Sequence, residues 1–340
     1  MTPLSPPFTH LRRMTDAGGL YEHALGSDPR PEHGYCVDDV ARALVVLCRE
    51  KRIDGRDITE NDDLIAAYLE FVLAAQVKDG RFRNRRDLQL RWNGWPSAED
   101  CWGRGLWALG TVIAVGADTD GRALAAFDCS VPWRPSWVHS TTFAALGALE
   151  VLRALPDHGG ARALLADAAA LIGSPTADPH WPWPAERLEY ANAALPEALI
   201  GAGVVLGEPR LLDEGLHLLG WLLEVQTRAG HLSVVPTGGR GPTERHAGFD
   251  QQPIEVAALA DACAAAHAAT GDQRWADGVA LAVAWFHGEN DSGTVMFDPA
   301  TGAGYDGLEI DGRNENQGAE STLALLSTMQ WTRALDRCAR

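Results

Sequence analysis

The sequence predicts an all-α protein, an (α/α)6 toroid of six helical hairpins with short β-hairpin loops at one mouth. Three observations predict it. Alanine- and leucine-rich segments with a 3.6-residue apolar period recur through the 340 residues, long alternating β-branched runs are absent, and six apolar segments share one polar-to-apolar layout.

Those six open on polar residues and then turn small and apolar. In chain order they are Asp38-Asp39 into VARALVVL, Glu99-Asp100 into CWGRGLWALG, His139-Ser140 into TTFAALGALEVL, Tyr190-Ala191-Asn192 into AALPEALIGAGVVL, Asp250-Gln251-Gln252 into PIEVAALADACAAA, and Glu315-Asn316-Gln317 into GAESTLALLSTMQ. The last two align position by position, so that Glu255 matches Glu320. They define inner helices at 38–50, 100–115, 140–155, 192–206, 252–268 and 317–332. Between them lie amphipathic segments at 62–76, 121–129, 160–172, 208–226 and 273–287, each with its charges on one face. Apolar helices alternating with amphipathic ones are what an inner ring wrapped by an outer ring requires, since only the outer ring meets water. A helix near 8–24 supplies the sixth outer partner. After two outer helices a second signature recurs, Gln76-x-x-x-Gly80-x-Phe82 and Gln226-x-x-x-Gly230-x-Leu232, with Asp291-x-Gly293 as a weaker echo; each reads as a turn into a short strand. No stretch has linker composition, so one domain is expected over 1–340.

Hydrophobic residues at 46% and charged residues at 22% are a globular balance. The net charge of −17 repels a phosphate backbone and argues against nucleic acid as a partner. No segment reaches the roughly 20 apolar residues that a bilayer needs, and the first residues lack a signal-peptide core, so the expected place is the cytosol, away from membranes. The six cysteines (Cys36, Cys48, Cys101, Cys129, Cys263, Cys338) form no CxxC pair, and the eleven histidines form no HExxH motif. Neither a transition metal nor another cofactor is expected.

In a toroid the polar starts of the inner helices gather at one mouth, where free N–H groups and helix dipoles favour anions and hydroxyl oxygens. That mouth collects Asp38, Asp39, Glu99, Asp100, His139, Tyr190, Asn192, Asp250, Gln251, Gln252, Glu315, Asn316 and Gln317. Planar carboxylates and amides in a ring are the donors and acceptors that sugar hydroxyls need. Capping is the plainer reading of each, because Asp and Asn are favoured N-caps, and Asp38–Arg42 and Asp100–Arg104 have the i, i+4 spacing of ion pairs. Asp39, Asp250 and Glu315 escape that spacing, and the Asp-Gln-Gln and Glu-Asn-Gln runs stack three polar residues where a cap needs one. Of 12 tryptophans, Trp92, Trp95, Trp137, Trp181 and Trp183 sit in loops before inner helices, where an aromatic face suits the C–H face of a pyranose. Hydrolysis of a glycosidic bond needs two carboxylates. Asp39 with Asp250 is the leading pair and Asp100 with Glu315 the reserve.

Taken together, HGYCVDDVARAL, SAEDCWGRGLWALG, LEYANAALPEAL, FDQQPIEVAALADACAAA and NENQGAESTLALL make the chain resemble, over residues 33–330, a family of bacterial six-hairpin glycosidase-like proteins. Members are often fused to, or encoded beside, glycosyltransferases, so the resemblance implies the toroid fold, a glycan ligand and a glycosyltransferase as a partner. The chain departs from the family pattern in WPWPAERLEYANA. Phe-Glu-Asp commonly follows the second tryptophan, and here stand Pro184-Ala185-Glu186. An expected acid is thus Ala185, and Glu186 is the candidate to replace it one position along.

The leading expectation is a glycoside hydrolase, or a related glycan-cleaving enzyme, acting on an oligosaccharide through a carboxylate acid/base pair. The alternative is a non-catalytic glycan-binding or scaffold module associated with glycosyltransferases. A sugar epimerase ranks third, because paired histidine proton carriers are expected there and only His139 stands at an inner-helix start. Since no metal is expected, dialysis against EDTA should leave the thermal unfolding midpoint unchanged; a fall restored by a divalent ion would overturn that expectation.

Overall fold

The computed structural model describes residues 7–55, 60–244 and 246–338. Among them run twelve α-helices. They are α1 (Thr9–Arg13), α2 (Val37–Asp54), α3 (Asp62–Ala75), α4 (Asp100–Ala114), α5 (Arg122–Ser130), α6 (Val138–Ala154), α7 (Gly159–Ile172), α8 (Ala194–Leu206), α9 (Pro209–Val225), α10 (Pro253–Thr270), α11 (Gln273–Phe286) and α12 (Ala319–Cys338). The even-numbered helices form the inner ring: α2 packs on α4, then α6, α8, α10 and α12 follow in turn, and α12 returns to α2. Helices α3, α5, α7, α9 and α11 each pack outside the inner helix that precedes them. The fold is the expected (α/α)6 toroid.

Burial explains the two rings. Inner helix α10 buries twelve of its residues, among them Ile254, Val256, Leu259 and a series of alanines, while outer helix α9 buries only Leu211, Gly215, Leu218, Leu219 and Leu222 along one stripe. Small residues let inner helices approach closely. A Cβ added at Gly103 would collide with the Ser140 carbonyl, one at Gly110 with the Gly147 carbonyl, and one at Gly147 with the Leu106 carbonyl, so α4 and α6 touch backbone to backbone.

The N-terminal helix is shorter than expected. It ends at Arg13, and the chain then makes two hairpins, Thr15–Asp16 with Gly19–Leu20 and Ala24–Leu25 with Asp28–Pro29. Gly18-Gly19 disfavours a continuing helix, and Asp16 is occupied in accepting from the Gly18 N–H and from the Tyr21 and Tyr35 hydroxyls.

The repeated glutamine-glycine signature marks returning turns. Gly80 and Gly230 both have φ +88°, a conformation glycine adopts freely. Gln76 pairs with Phe82 across the first turn, and Thr227–Arg228 pairs with His231–Leu232 across the second. Two more hairpins, Phe297–Asp298 with Ala303–Gly304 and Gly307–Glu309 with Gly312–Asn314, lead into α12. All four link the end of an outer helix to the start of the next inner one, so they lie around the mouth where inner helices begin. No helix among the described residues is long and apolar enough to cross a membrane.

Gly110→Ala should therefore lose about 1–3 kcal/mol of stability by forcing α4 from α6. Gly159→Ala, at an exposed helix start with nothing within 4 Å of the new methyl, should be neutral or stabilise by up to about 1 kcal/mol. Urea unfolding midpoints of the two variants check the contrast.

Candidate functional site

Capping does not account for the polar starts of the inner helices. Helices α2, α4, α6, α8 and α10 have no side-chain cap hydrogen bond, whereas outer helices α7 and α11 are capped by His158 and Asp272. The inner-helix polar groups have other partners, and these partners build a network across the mouth.

At its centre are two arginines, Arg42, half-buried, and Arg104, buried. Arg42 reaches Asp39 at 2.6 Å and Glu320 of α12 at 2.7 Å, so Asp39 is ion-paired after all, by an arginine three positions on. Arg104 does not pair with Asp100. It lies with its Nε 3.5 Å from Asp38 Oδ1, across the α2–α4 contact, while Asn84 donates to the other Asp38 oxygen at 2.7 Å. Helix crossing therefore redirects both of the expected i, i+4 pairs. Burial, opposed by Arg42, pushes Asp39 up to about 6. Burial, reinforced by Arg42, holds Arg104 below its ordinary value.

A second group surrounds Asp100. Ser140 of α6 donates to it at 2.9 Å, and the Tyr190 hydroxyl donates to its other oxygen. Burial and the Asp100 charge push the Tyr190 phenol up. The His139 ring stacks on Tyr190 at 4.3 Å, and its Nε2 faces the Tyr190 carbonyl at 2.8 Å. A carbonyl only accepts, so this assigns the proton to Nε2 and leaves the Nδ1 lone pair towards Glu189, 3.9 Å away. Burial lowers the His139 pKa.

Two cavities open onto these groups. The larger, 630 Å³, is lined by Asp100, Glu99, His139, Tyr190, Asn192, Trp137, Trp183 and Glu189. The smaller, 280 Å³, is lined by Asp38, Asp39, Arg42, Gln252, Glu320, Glu22, His23 and Asp306. A narrow extension of 60 Å³, lined by Arg42, Arg104, Glu197 and Asp261, continues down the barrel axis. Asp38 and Asn84, bonded to each other, stand in the linings of the smaller and larger cavities respectively.

The remaining expected residues divide. Trp137 is 63% exposed beside the large cavity, an open aromatic face, while Trp95 is 94% exposed and outside both cavity walls. Trp183 is buried against Trp221, so packing occupies it. Asp250 is exposed, and Glu315 is exposed and paired with Arg313 at 3.0 Å; neither lines a cavity described here. Gln251 is fully buried, donating to Asp291 at 2.7 Å and accepting from the Trp285 indole. Asn316 accepts from the Gly26 N–H at 3.0 Å, and the Gln317 backbone bonds to Gly26 and His10, so these two hold the N-terminal hairpins on α12. Asn192 donates from its amide and its backbone to the buried Glu255, which burial pushes up to about 7. Glu186 is exposed and outside the cavity wall that its neighbours Ala185 and Arg187 line.

Residues not foreseen as part of the site are Glu320, Arg42, Arg104, Glu22, His23 and Asp306. Glu320 carried a signal in its alignment with Glu255, and Arg42 and Arg104 appeared only as i, i+4 ion-pair partners. Glu22, Cys36 and Asp39 bring ligand-type atoms within 4.8 Å of one another, but Arg85 already pairs with Glu22 and Arg42 with Asp39.

No protein family model matches the chain, and no curated protein matches it in sequence. Solved structures match it in fold. A sugar epimerase from a ruminal bacterium superposes with a TM-score of 0.72 at 14% identity, over 96% of this chain and 95% of that one. A D-mannose isomerase gives 0.71 at 11%, over 97% and 95%. An α-1,6-mannanase of Salegentibacter gives 0.67 at 11%, over 96% of each chain; it is an inactive variant with two successive aspartates replaced by alanine, in complex with α-1,6-mannotetrose. At such identities the likeness is one of fold.

Removing the shared cation with Arg42→Met leaves Asp39 and Glu320 uncompensated and should cost about 3–5 kcal/mol near pH 8. Asp39 gains its proton as pH falls through about 6, so the loss should shrink near pH 5. Urea unfolding at the two pH values checks this.

Proposed function

We propose that the protein hydrolyses a glycosidic bond in an uncharged oligosaccharide, with Asp39 as proton donor and Asp100 as the base that activates water. The observation that carries the reading is the set of acids at the starts of three neighbouring inner helices, Asp38 and Asp39 on α2, Asp100 on α4 and Glu320 on α12, of which burial raises Asp39 to about 6. Glycoside hydrolysis needs that division, one carboxyl protonated to donate to the leaving oxygen and another ionised. The Ser140 and Tyr190 hydroxyls orient Asp100, and exposed Trp137 offers a stacking face at the edge of the larger cavity. Asp38-Asp39 is the successive aspartate pair of this mouth, and loss of such a pair accompanies inactivity in the mannanase that shares the fold. Four carboxylates around two guanidiniums disfavour an anionic sugar.

A second reading, sugar epimerisation or isomerisation, is favoured by His139 in the larger cavity and His23 in the smaller, both with pKa lowered by burial and so neutral bases near pH 7.

Incubation with neutral α- and β-linked di- to tetrasaccharides, followed by product chromatography, separates the readings. Cleavage products support hydrolysis, epimers or ketoses of the intact sugar support the second reading, and binding without products leaves a glycan-binding module. For hydrolysis, Asp39→Asn should lower kcat by about 100-fold or more. Activity of the wild type should fall as pH rises through about 6, since the donor must hold its proton. An Asp39→Asn variant with unchanged kcat would remove Asp39 from the mechanism.

A further inference from the structure

The larger cavity has two unlike walls. The starts of the inner helices give it Asp100, His139 and Asn192, and the loop before α8 adds Tyr190. From there the cavity continues outward over the end of outer helix α7, where Leu171 and Ile172 line it together with Trp137, Pro184 and Ala185. Of these five side chains only the Trp137 indole has a hydrogen-bonding group, one N–H donor. Arg187 lines the cavity too, but it is taken up by Glu244 at 3.0 Å and by the Gly238 carbonyl, and Glu186 lies outside the wall.

Packing of the core does not account for this wall. Of the ten large apolar side chains exposed among the described residues, Trp137 at 63% and Leu171 at 38% are the two that line any of the three cavities, and both line this one. Leu171 lies off the stripe of Leu164, Leu165, Ala168 and Ile172 that α7 buries. A single exposed leucine is ordinary. A leucine, a tryptophan and a proline along one cavity whose other end is polar make a surface of two chemistries.

A sugar ring laid on the apolar wall would turn hydroxyls towards side chains that cannot pair with them, after giving up its hydrogen bonds to water. An apolar group there gives up no hydrogen bond and removes apolar surface from water. The wall is continuous with the acids and hydroxyls of the helix starts, so the molecule that fits the whole cavity has a polar half and an apolar half.

We propose that the ligand of the larger cavity is a glycoside, an uncharged sugar or oligosaccharide joined to an apolar alkyl or aromatic aglycone. Its sugar lies at the Asp100 end and its aglycone along Trp137, Leu171, Ile172 and Pro184. The proposal rests on the mouth being a sugar site and names the group that the sugar carries.

Calorimetric titration of the intact protein with methyl, butyl, hexyl and phenyl α- and β-glucosides and mannosides tests it. For the sugar that binds, affinity should rise by about threefold to fourfold for each methylene that reaches the wall, and the phenyl form should bind about tenfold more tightly than the methyl form. Hexan-1-ol, the chain without the sugar, should bind about tenfold more weakly than the hexyl glycoside. Leu171→Asn, at the exposed end of an outer helix, should weaken the hexyl glycoside about tenfold more than the methyl glycoside. Equal affinities of the wild type for methyl, hexyl and phenyl forms overturn the proposal and leave the sugar reading standing, as do equal losses for the methyl and hexyl forms in Leu171→Asn. Failure of every glycoside to bind, or hexan-1-ol binding as tightly as the hexyl glycoside, overturns the sugar reading and the proposal together. The wild-type series decides without the variant.

Discussion

The toroid depends on one non-covalent seam, the junction of its first and last inner helices. Helices α2 and α12 meet only because the ring closes, and polar groups at both ends fix how they meet. At the mouth Arg42 of α2 holds Glu320 of α12. Deeper, Arg49 of α2 donates to Ser327 of α12 and Asp261 of α10, and Gln330 of α12 donates to the Val46 carbonyl. Apolar packing alone tolerates sliding between helices, whereas buried hydrogen-bonded charges do not. The same Arg42 that closes the ring sets the charge environment of Asp39, so ring closure and site chemistry share a residue.

The architecture was legible because it rests on burial, and burial leaves a period in the sequence. All six inner helices fall where the polar-to-apolar segments place them, and α8 and α12 each start two residues late, α8 after Ala191 with φ +44° and after Asn192 turns its side chain to the Glu189 N–H. The N-terminal region was misread as one helix because its apolar residues serve two-residue hairpins too short to show alternation.

Side-chain partnerships were less legible, for a physical reason. Spacing along one helix predicts Asp38–Arg42 and Asp100–Arg104, but at a helix–helix contact each arginine is offered acids from the neighbouring helix as well. Arg42 takes Glu320, and Arg104 turns to Asp38. Likewise Gln251, Asn316 and Gln317 have the composition of a sugar site, yet they hold loops, because a mouth made of hairpins leaves many backbone groups to be satisfied. Exposure separates Trp137 from Trp183, and nothing in the local sequence of either distinguishes them.

The clamp between the N-terminal hairpins and the start of α12 also orders events in time. His10 bonds to the Gln317 carbonyl across 307 positions, and Glu22, whose carbonyl accepts from Ala319, lines the smaller cavity. During synthesis the segment carrying Glu22 and His23 leaves the ribosome well before its docking partner at the start of α12. The smaller cavity is therefore incomplete until α12 has been made. A nascent chain stalled before α12 lacks that wall as well as the ring seam.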